Sequence, residues 1–183
     1  MNADSDLEDI QYAARAGAGD THAYAWLVGR HQAAVHRYLV RLTGAPDAAR
    51  DLTQDTFLRA FQAIGTWRPE AKFRTWLFRI AHNLALDYLR RARQWRRFVP
   101  LDDGLEVPDP APGPAARLEA TRDAQRLEAA LAALPPAHRE ILLLREIEQM
   151  SYEDIARMLD LNLGTVRSRI ARGRAALLAI LRR

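Results

Sequence analysis

Residues 151–174 read SYEDIARMLDLNLGTVRSRIARGR, and the organisation of the chain follows from this stretch. Ser151, with Glu153 and Asp154 behind it, has the form of a helix start. A hydroxyl caps the first amides, and Asp154 stands where a capping box usually has glutamate. The helix so begun ends near Asp160. Leu161-Asn162 makes a tight turn, and a longer helix is expected over Leu163–Leu181. Ile155, Leu159, Val166 and Ile170 fall at the spacing of an apolar joint between the two helices. A short helix, a tight turn and a longer helix make a helix-turn-helix.

The outer face of the longer helix is cationic. Thr165, Arg167, Ser168, Arg169, Arg172 and Arg174 lie on it, and residues 165–183 carry six arginines and no acidic side chain. Arginine grips guanine with two hydrogen bonds, each good pair giving about 1–3 kcal/mol of discrimination. Other arginines neutralise phosphates and hold the register. The amides around Gly164 and Thr165 add donors suited to a phosphate. The face is therefore expected to read duplex DNA. The plain alternative is a solvated basic helix, since the chain has 26 arginines and a single lysine, Lys72. An arginine face on one side of a capped helix, directly after a tight turn, favours the reader.

Outward from this unit, Pro135-Pro136 stops a helix expected over Arg117–Leu134, and a further helix spans Ala137–Met150 with Ile141, Leu142, Leu144 and Ile147 apolar. Upstream, Phe98–Pro114 contains Pro100, Pro108, Pro110, Pro112 and Pro114 with Gly104 and Gly113. Prolines at that density exclude a helix and lack the amides of a central strand. Residues 98–116 are expected to form an extended, acidic linker.

Every segment before the linker has helical spacing. Ala23, Trp26, Leu27, Ala34, Val35, Tyr38, Leu39 and Leu42 form one apolar stripe, with Asp20 placed to cap it and Gly44 to end it. Ala48, Leu52, Phe57, Phe61 and Ile64 mark a second helix. A third runs from about Phe73 to Arg97 with Trp76, Leu77, Ile80, Leu84 and Tyr88 inward, and a short one covers Asp6–Ala16. No segment alternates with a strand's period. The expected fold is all-α: two helical domains, residues 1–97 and 117–183, joined by a flexible linker.

Composition narrows the function. Residues 1–97 carry 15 basic and 10 acidic side chains, residues 98–124 carry 2 and 6, and residues 125–183 carry 10 and 7. Two basic blocks flank an acidic one, which suggests two surfaces for anionic partners. No run approaches the roughly 18 apolar residues of a membrane span, and the acidic start, Met1–Asp9, does not resemble a secretory signal. The absence of cysteine excludes disulfides and thiolate metal sites, and a reducing cytoplasm fits. His22, His31, His36, His82 and His138 lack a metal-ligand spacing, and no glycine-rich phosphate loop occurs. Ser151 serves better as a cap than as a nucleophile. No metal, cofactor or catalytic site is expected.

Asp51-Leu52-Thr53-Gln54-Asp55-Thr56-Phe57 resembles the signature of region two of bacterial sigma factors. The run from Phe73-Arg74-Thr75-Trp76 to Asp87-Tyr88-Leu89-Arg90 is similar to the promoter-melting part of the same domain. Leu134-Pro135-Pro136, His138-Arg139-Glu140, Ser151–Ala156 and Gly164–Arg169 resemble region four. Two such domains with no third between them match the extracytoplasmic-function (ECF) class.

The resemblance implies a transcription initiation factor that recruits core RNA polymerase to promoter DNA. It implies that the C-terminal domain reads the duplex upstream element through Arg167, Ser168, Ala171 and Arg172. Some relatives carry a large side chain at the place of Ala171, which offers only a methyl. The N-terminal domain is expected to capture the melted downstream element with Trp67, Arg68, Lys72, Phe73, Trp76, Arg79 and Asn83. Basic grooves and stacking faces of this kind hold single strands at about 1–3 kcal/mol per stacked base. Asn83 is the candidate for reading a flipped base, although helical spacing would place Trp76 in the core. Arg90, Arg91, Arg93, Arg96 and Arg97 would track phosphates. Asp51, Gln54, Asp55, Phe57 and Arg59 would face the coiled coil of the polymerase's largest subunit; without the resemblance, this is a solvated face with an Asp55–Arg59 pair. An anti-sigma factor is an implied partner; the acidic linker is either an ordinary solvated tether or a segment that enters the polymerase channel in imitation of RNA charge. Two other readings stand beside this one: a duplex-binding regulator independent of polymerase, and a helical adaptor for an acidic protein.

Overall fold

The computed structural model describes the backbone of residues 3–98 and 115–182 and the side chains of residues 5–92 and 122–182. Helices reach Phe98 and Ala115 from either side, which trims the expected linker at both ends. The rest of the linker, on which the choice between tether and channel segment falls, lies outside the described residues. So do the side chains of Arg93, Arg96 and Arg97.

The N-terminal half is four helices: α1 (Ala3–Gly17), α2 (Thr21–Thr43), α3 (Pro46–Ala63) and α4 (Phe73–Phe98). The Asp20 carboxylate accepts the Ala23 amide at 3.0 Å and holds Arg15 at 2.7 Å, which fixes the corner between α1 and α2. Gly44 takes the left-handed conformation, φ 68°, and returns its N–H to Val40. Pro46 then starts α3 at a position where no amide is needed. A 3₁₀ turn, Ile64–Thr66, leads into the loop before α4. Leu27, Val35, Tyr38, Leu39, Phe73, Leu77 and Phe78 form a core almost without solvent contact. Each large side chain so buried contributes about 1.5–3 kcal/mol. Within this core the buried Asp9 and His31 lie 3.1 Å apart, tying α1 to α2.

The C-terminal half contains α5 (Ala115–Ala133), α6 (Pro136–Leu142), α7 (Tyr152–Leu159) and α8 (Leu163–Leu181). The bounds expected for α8 hold. The single helix expected over Ala137–Met150 does not form: α6 gives way to a π turn, Leu143–Ile147, in which Glu148 donates its N–H to Leu143 at 2.9 Å. Gln149, at φ 54°, ends it. The cap of α7 forms with one change. The Asp154 amide donates to Ser151 Oγ at 3.0 Å, but the Asp154 carboxylate accepts the Ser151 hydroxyl at 2.7 Å instead of reaching the backbone. The expected joint is present: Ile155, Val166 and Ile170 are buried, Leu159 is half-buried, and Met158 joins them. Gly173 lets α8 approach α6, since a Cβ there would sit 3.1 Å from Leu142 Cγ.

No strand occurs among the described residues, so the all-α expectation holds. The two halves pack together, α4 against α7 and α2 against α5 and α6.

Candidate nucleic-acid interfaces

The first candidate surface is the outer face of α8. Arg167, Ser168, Ala171 and Arg172 are exposed, and Thr165 and Arg169 are half-buried. Arg172 donates to the Ser168 carbonyl and hydroxyl, each at 3.3 Å, and Ser168 donates to the Thr165 carbonyl at 3.1 Å. This chain of bonds holds the Arg172 guanidinium along the face. Arg167 extends into solvent, so its five donors are open to a partner. Arg174, two turns beyond Arg167 on the same side of the helix, differs in being held by Glu146 at 2.7 Å. The helix start also differs from expectation. Asn162 Oδ1 accepts the Thr165 amide at 2.7 Å, so the N-cap already uses one of the amides assigned to a phosphate.

The second candidate surface is a groove of about 410 Å³ where the loop before α4 meets the first turns of that helix. Thr66, Trp67, Arg68, Glu70, Thr75, Trp76 and Arg79 line it, together with Arg157 and Met158 of α7. Phe73 is 1% exposed and supports the groove from beneath. The Trp67 ring meets it edge-on at 5.8 Å, and Trp76 and His31 pack against it at 5.5 and 5.6 Å. Trp76 is half-buried, so the spacing that points to the core and the aromatic groove are both satisfied. Trp67 is buried too, and its Nε1–H has no partner within the protein. Such a donor is costly to leave unmet. Arg68 is pinned to the loop through the Gly65 and Trp67 carbonyls at 3.3 and 3.1 Å. Lys72 is paired with Asp6 of α1 at 2.8 Å. Arg79 and Asn83 follow Trp76 at helical steps and are exposed. Further along, Arg91 is exposed and Arg90 is held by Asp87 at 2.7 Å.

On α3, Asp51, Gln54, Asp55 and Arg59 are exposed, and the Asp55–Arg59 pair allowed by their spacing is not made. Phe57 is nearly buried, with Tyr24 donating its hydroxyl to the Phe57 carbonyl. Phe61 departs from the inward place that its spacing predicts. It is 47% exposed, beside Leu58 at 54%. Its ring rests edge-on against Tyr24 at 4.9 Å, at the margin of the core. An apolar patch therefore adjoins the charged face. Periodicity shows that such residues share a helical side but not where the neighbouring helix stops covering them.

Titratable groups concentrate where the two halves meet. His82 Nε2 lies 3.0 Å from Glu140 Oε1, and the Tyr38 hydroxyl lies 3.2 Å from His82 Nδ1. Burial lowers His82 to about 4 and raises Glu140 to about 7, so loss of water opposes charge on both partners. Arg74 of α4 pairs with Glu148 and also donates to its backbone carbonyl. Burial pushes the Glu148 carboxyl up, with the Arg74 guanidinium opposing the shift. Among the described residues no cluster of His, Asp and Glu is placed to hold a metal ion, and no helix is long and apolar enough to cross a membrane.

A helix-turn-helix with an open arginine face, and a separate aromatic groove rimmed by cations, define an all-helical protein with two distinct nucleic-acid candidate surfaces. Residues 27–96 match the family described as Sigma-70 region 2, and residues 124–177 match Sigma-70, region 4. The chain is 42% identical over 151 residues to the ECF RNA polymerase sigma factor SigE of Mycolicibacterium smegmatis, covering 82% of this chain but only 58% of that relative. It is 36% identical to the RNA polymerase sigma factor NccH of Alcaligenes xylosoxydans xylosoxydans, over 94% of each chain. Its fold is similar to CnrH in complex with the cytosolic domain of CnrY, with a TM-score of 0.71, 32% identity and coverage of 95% and 97% of the two chains. The chain belongs to the RNA polymerase sigma factors of the ECF class, which are transcription initiation factors and not enzymes.

Proposed function

We propose that the chain joins core RNA polymerase and directs it to promoters by gripping DNA at two places. Residues 117–183 read the upstream duplex element, residues 1–97 bind the polymerase and capture the melted downstream strand, and residues 98–116 connect them. In the upstream reader, Arg167 grips a base edge, and Arg172, aligned by Ser168, takes a neighbouring base or phosphate. Thr165, Arg169 and Ala171 complete that surface, and Arg174 reaches a phosphate by exchanging Glu146 for it. In the downstream groove, Trp67 and Trp76 offer stacking faces, and Arg68, Arg79, Arg91 and Asn83 offer cations and an amide. Phe73 is the floor beneath them. Lys72 and Arg90 reach a phosphate by exchanging Asp6 and Asp87 for it.

Asp51, Gln54, Asp55 and Arg59, extended by Leu58 and Phe61, form the face offered to the polymerase. An anti-sigma factor is the natural regulator, in keeping with the similar sigma factor RpoE of Bartonella quintana, whose structure is in complex with the anti-sigma factor NepR. The site of action is the cell interior, where polymerase and promoter are found.

The observation that carries this reading is the solvent-facing Arg167 beside the aligned Ser168–Arg172 chain, on a helix face with no acidic residue. Run-off transcription with purified core polymerase on a promoter library tests it. Specific products are expected only when both proteins are present. Tight promoter binding by the chain alone, without polymerase-dependent products, would point to a free-standing duplex regulator.

A further inference from the structure

Lys72 is the one lysine among 27 lysine and arginine side chains. It stands in the loop just before α4, its side chain is 40% exposed, and its Nζ meets Asp6 Oδ2 of α1 at 2.8 Å. Arginine keeps its proton at any ordinary pH, whereas a lysine amine that gives one up becomes a nucleophile. Of these cationic side chains, Lys72 alone can therefore be acylated.

Lys72 also borders a second pocket, of about 180 Å³, together with Arg74, Arg145, Gln149, Ser151 and Asp154. This volume lies below the roughly 300 Å³ of a site for a drug-sized ligand, so the occupant is small. Three cations line the pocket with one carboxylate, and that carboxylate is engaged. Asp154 accepts the Ser151 hydroxyl at 2.7 Å and Arg157 at 2.9 Å. Arg74 is engaged as well, by Glu148. Arg145 differs. Half-buried, with its guanidinium 5.0 Å from the Tyr152 ring, it gives Nη1 to the Met150 carbonyl at 2.7 Å and forms no ion pair among the described residues. Its remaining N–H groups suit an oxyanion, above all a phosphate, close to the only amine side chain of the protein.

We propose that Lys72 is an acylation site whose donor is a small acyl phosphate, with the phosphate gripped by Arg145 in this pocket and the carbonyl carbon presented to Nζ. The Lys72 ammonium first gives a proton to Asp6, the carboxylate already paired with it. The amine lone pair then attacks the carbonyl carbon, the C–N bond forms, and the bond from that carbon to the phosphate oxygen breaks. Phosphate departs with the electron pair and takes the second proton from the nitrogen, while Asp6 returns its proton to water. The products are an uncharged amide and inorganic phosphate, with nothing oxidised or reduced. The amide no longer pairs with Asp6, so the tie between the loop and α1 is lost. A further consequence rests on the reading of Lys72 as a downstream phosphate contact: acylation removes that contact too.

Acetyl phosphate is the probe, used on the whole chain, and peptide mass spectrometry locates each acetyl group. Lys72 is expected to be acetylated at a rate that saturates with reagent, and inorganic phosphate should slow it by competition. Arg145→Gln should slow it about tenfold, the effect of one charge-assisted hydrogen bond to phosphate. The N-terminal amine of the same chain is the reference and should respond to neither change. Acetic anhydride acylates amines without a phosphate, and it should label Lys72 equally in the natural and the substituted chain.

Absence of acetylation at Lys72 overturns the site, as does a rate indifferent to inorganic phosphate in the natural chain. An equal loss with acetic anhydride in Arg145→Gln overturns it too, since the arginine would then act on the amine and not on the donor. Run-off transcription with core polymerase separates the site from its consequence. The acetylated chain is expected to yield less product than the untreated one, whereas Lys72→Arg should not respond to the reagent. If Lys72 is acetylated as described and the product is unchanged, the acylation site stands and Lys72 leaves the downstream phosphate contacts.

Discussion

The α8 face and the α3–α4 groove are two ways of presenting arginine to nucleic acid. On α8 the cations stand on one helix, at steps of three and four residues, and the groups that align them, Ser168 and Thr165, belong to the same helix. The groove draws on a 3₁₀ turn, a loop and α4, rests on a buried aromatic floor, and is walled by the other domain. The first surface is local and open, the second assembled and covered. Damage to the first should remain confined to recognition, whereas damage to the second should spread into stability and domain movement.

Phe73→Ala is the strongest way to break this contrast. Deletion of the groove's floor is expected to cost about 3–5 kcal/mol of stability, read as a lowered urea midpoint, with single-strand binding lost as a consequence. A chain of unchanged stability would mean that Phe73 is not the support described. Arg167→Ala should leave stability intact and relax discrimination at one upstream position by about 1–3 kcal/mol. Competition between promoter variants for the assembled polymerase measures this, and an unaltered preference would remove Arg167 from the reader set.

Glu140→Gln probes the junction through pH. Burial raises Glu140 to about 7, so its contribution to the closed protein is full below about 4.5 and is lost as pH rises through 7. The glutamine variant should therefore gain a few degrees of melting temperature relative to the natural chain between pH 5 and pH 8. His82, lowered to about 4, favours the closed form above about 6.5 and loses that contribution as pH falls. It titrates in both chains, so the difference between them isolates Glu140. A constant difference across the range would contradict the buried carboxylate. Arg174→Ala should have the smallest effect. Loss of its exposed pair with Glu146 is worth about 0–1 kcal/mol, and promoter preference should not move; a clear change would make Arg174 a base reader and not a phosphate contact.

Local structure was legible in the chain because its signals are local. Asp20, Gly44, Ser151 and the bounds of α8 follow from capping chemistry and period, and the sequence reading matches them. The joint of Ile155, Val166 and Ile170 was legible for the same reason. The illegible contacts join distant residues. Arg74 and Glu148 are 74 positions apart, His82 and Glu140 are 58 apart, and no periodicity connects either pair. The exposure of Phe61 depends on where α2 stops covering α3. The aromatic groove was half legible: its side chains cluster in sequence, but the roles of Phe73 as floor and Trp67 as buried donor require the packed core. The roles of Asp51, Gln54 and Asp55 rest on resemblance alone, since solvated helix faces look alike whatever they later meet.

The π turn at Leu143–Ile147 bears on how the chain tolerates changes in length. Its i to i+5 bond from Glu148 to Leu143 accommodates one residue more than an α turn would. Removal of one residue from this turn would let the helix wind as a regular α turn while the segments before and after it stay nearly in phase, because the extra residue is absorbed within the turn itself. Leu142, seated against Gly173 of α8, and Glu148, seated against Arg74, could then keep their places together. In a regular helix the same loss would turn everything beyond it by about 100°. A single-codon deletion should therefore be tolerated better here than in the middle of α2 or α4, which makes this turn the place where the C-terminal half of the chain can change its length.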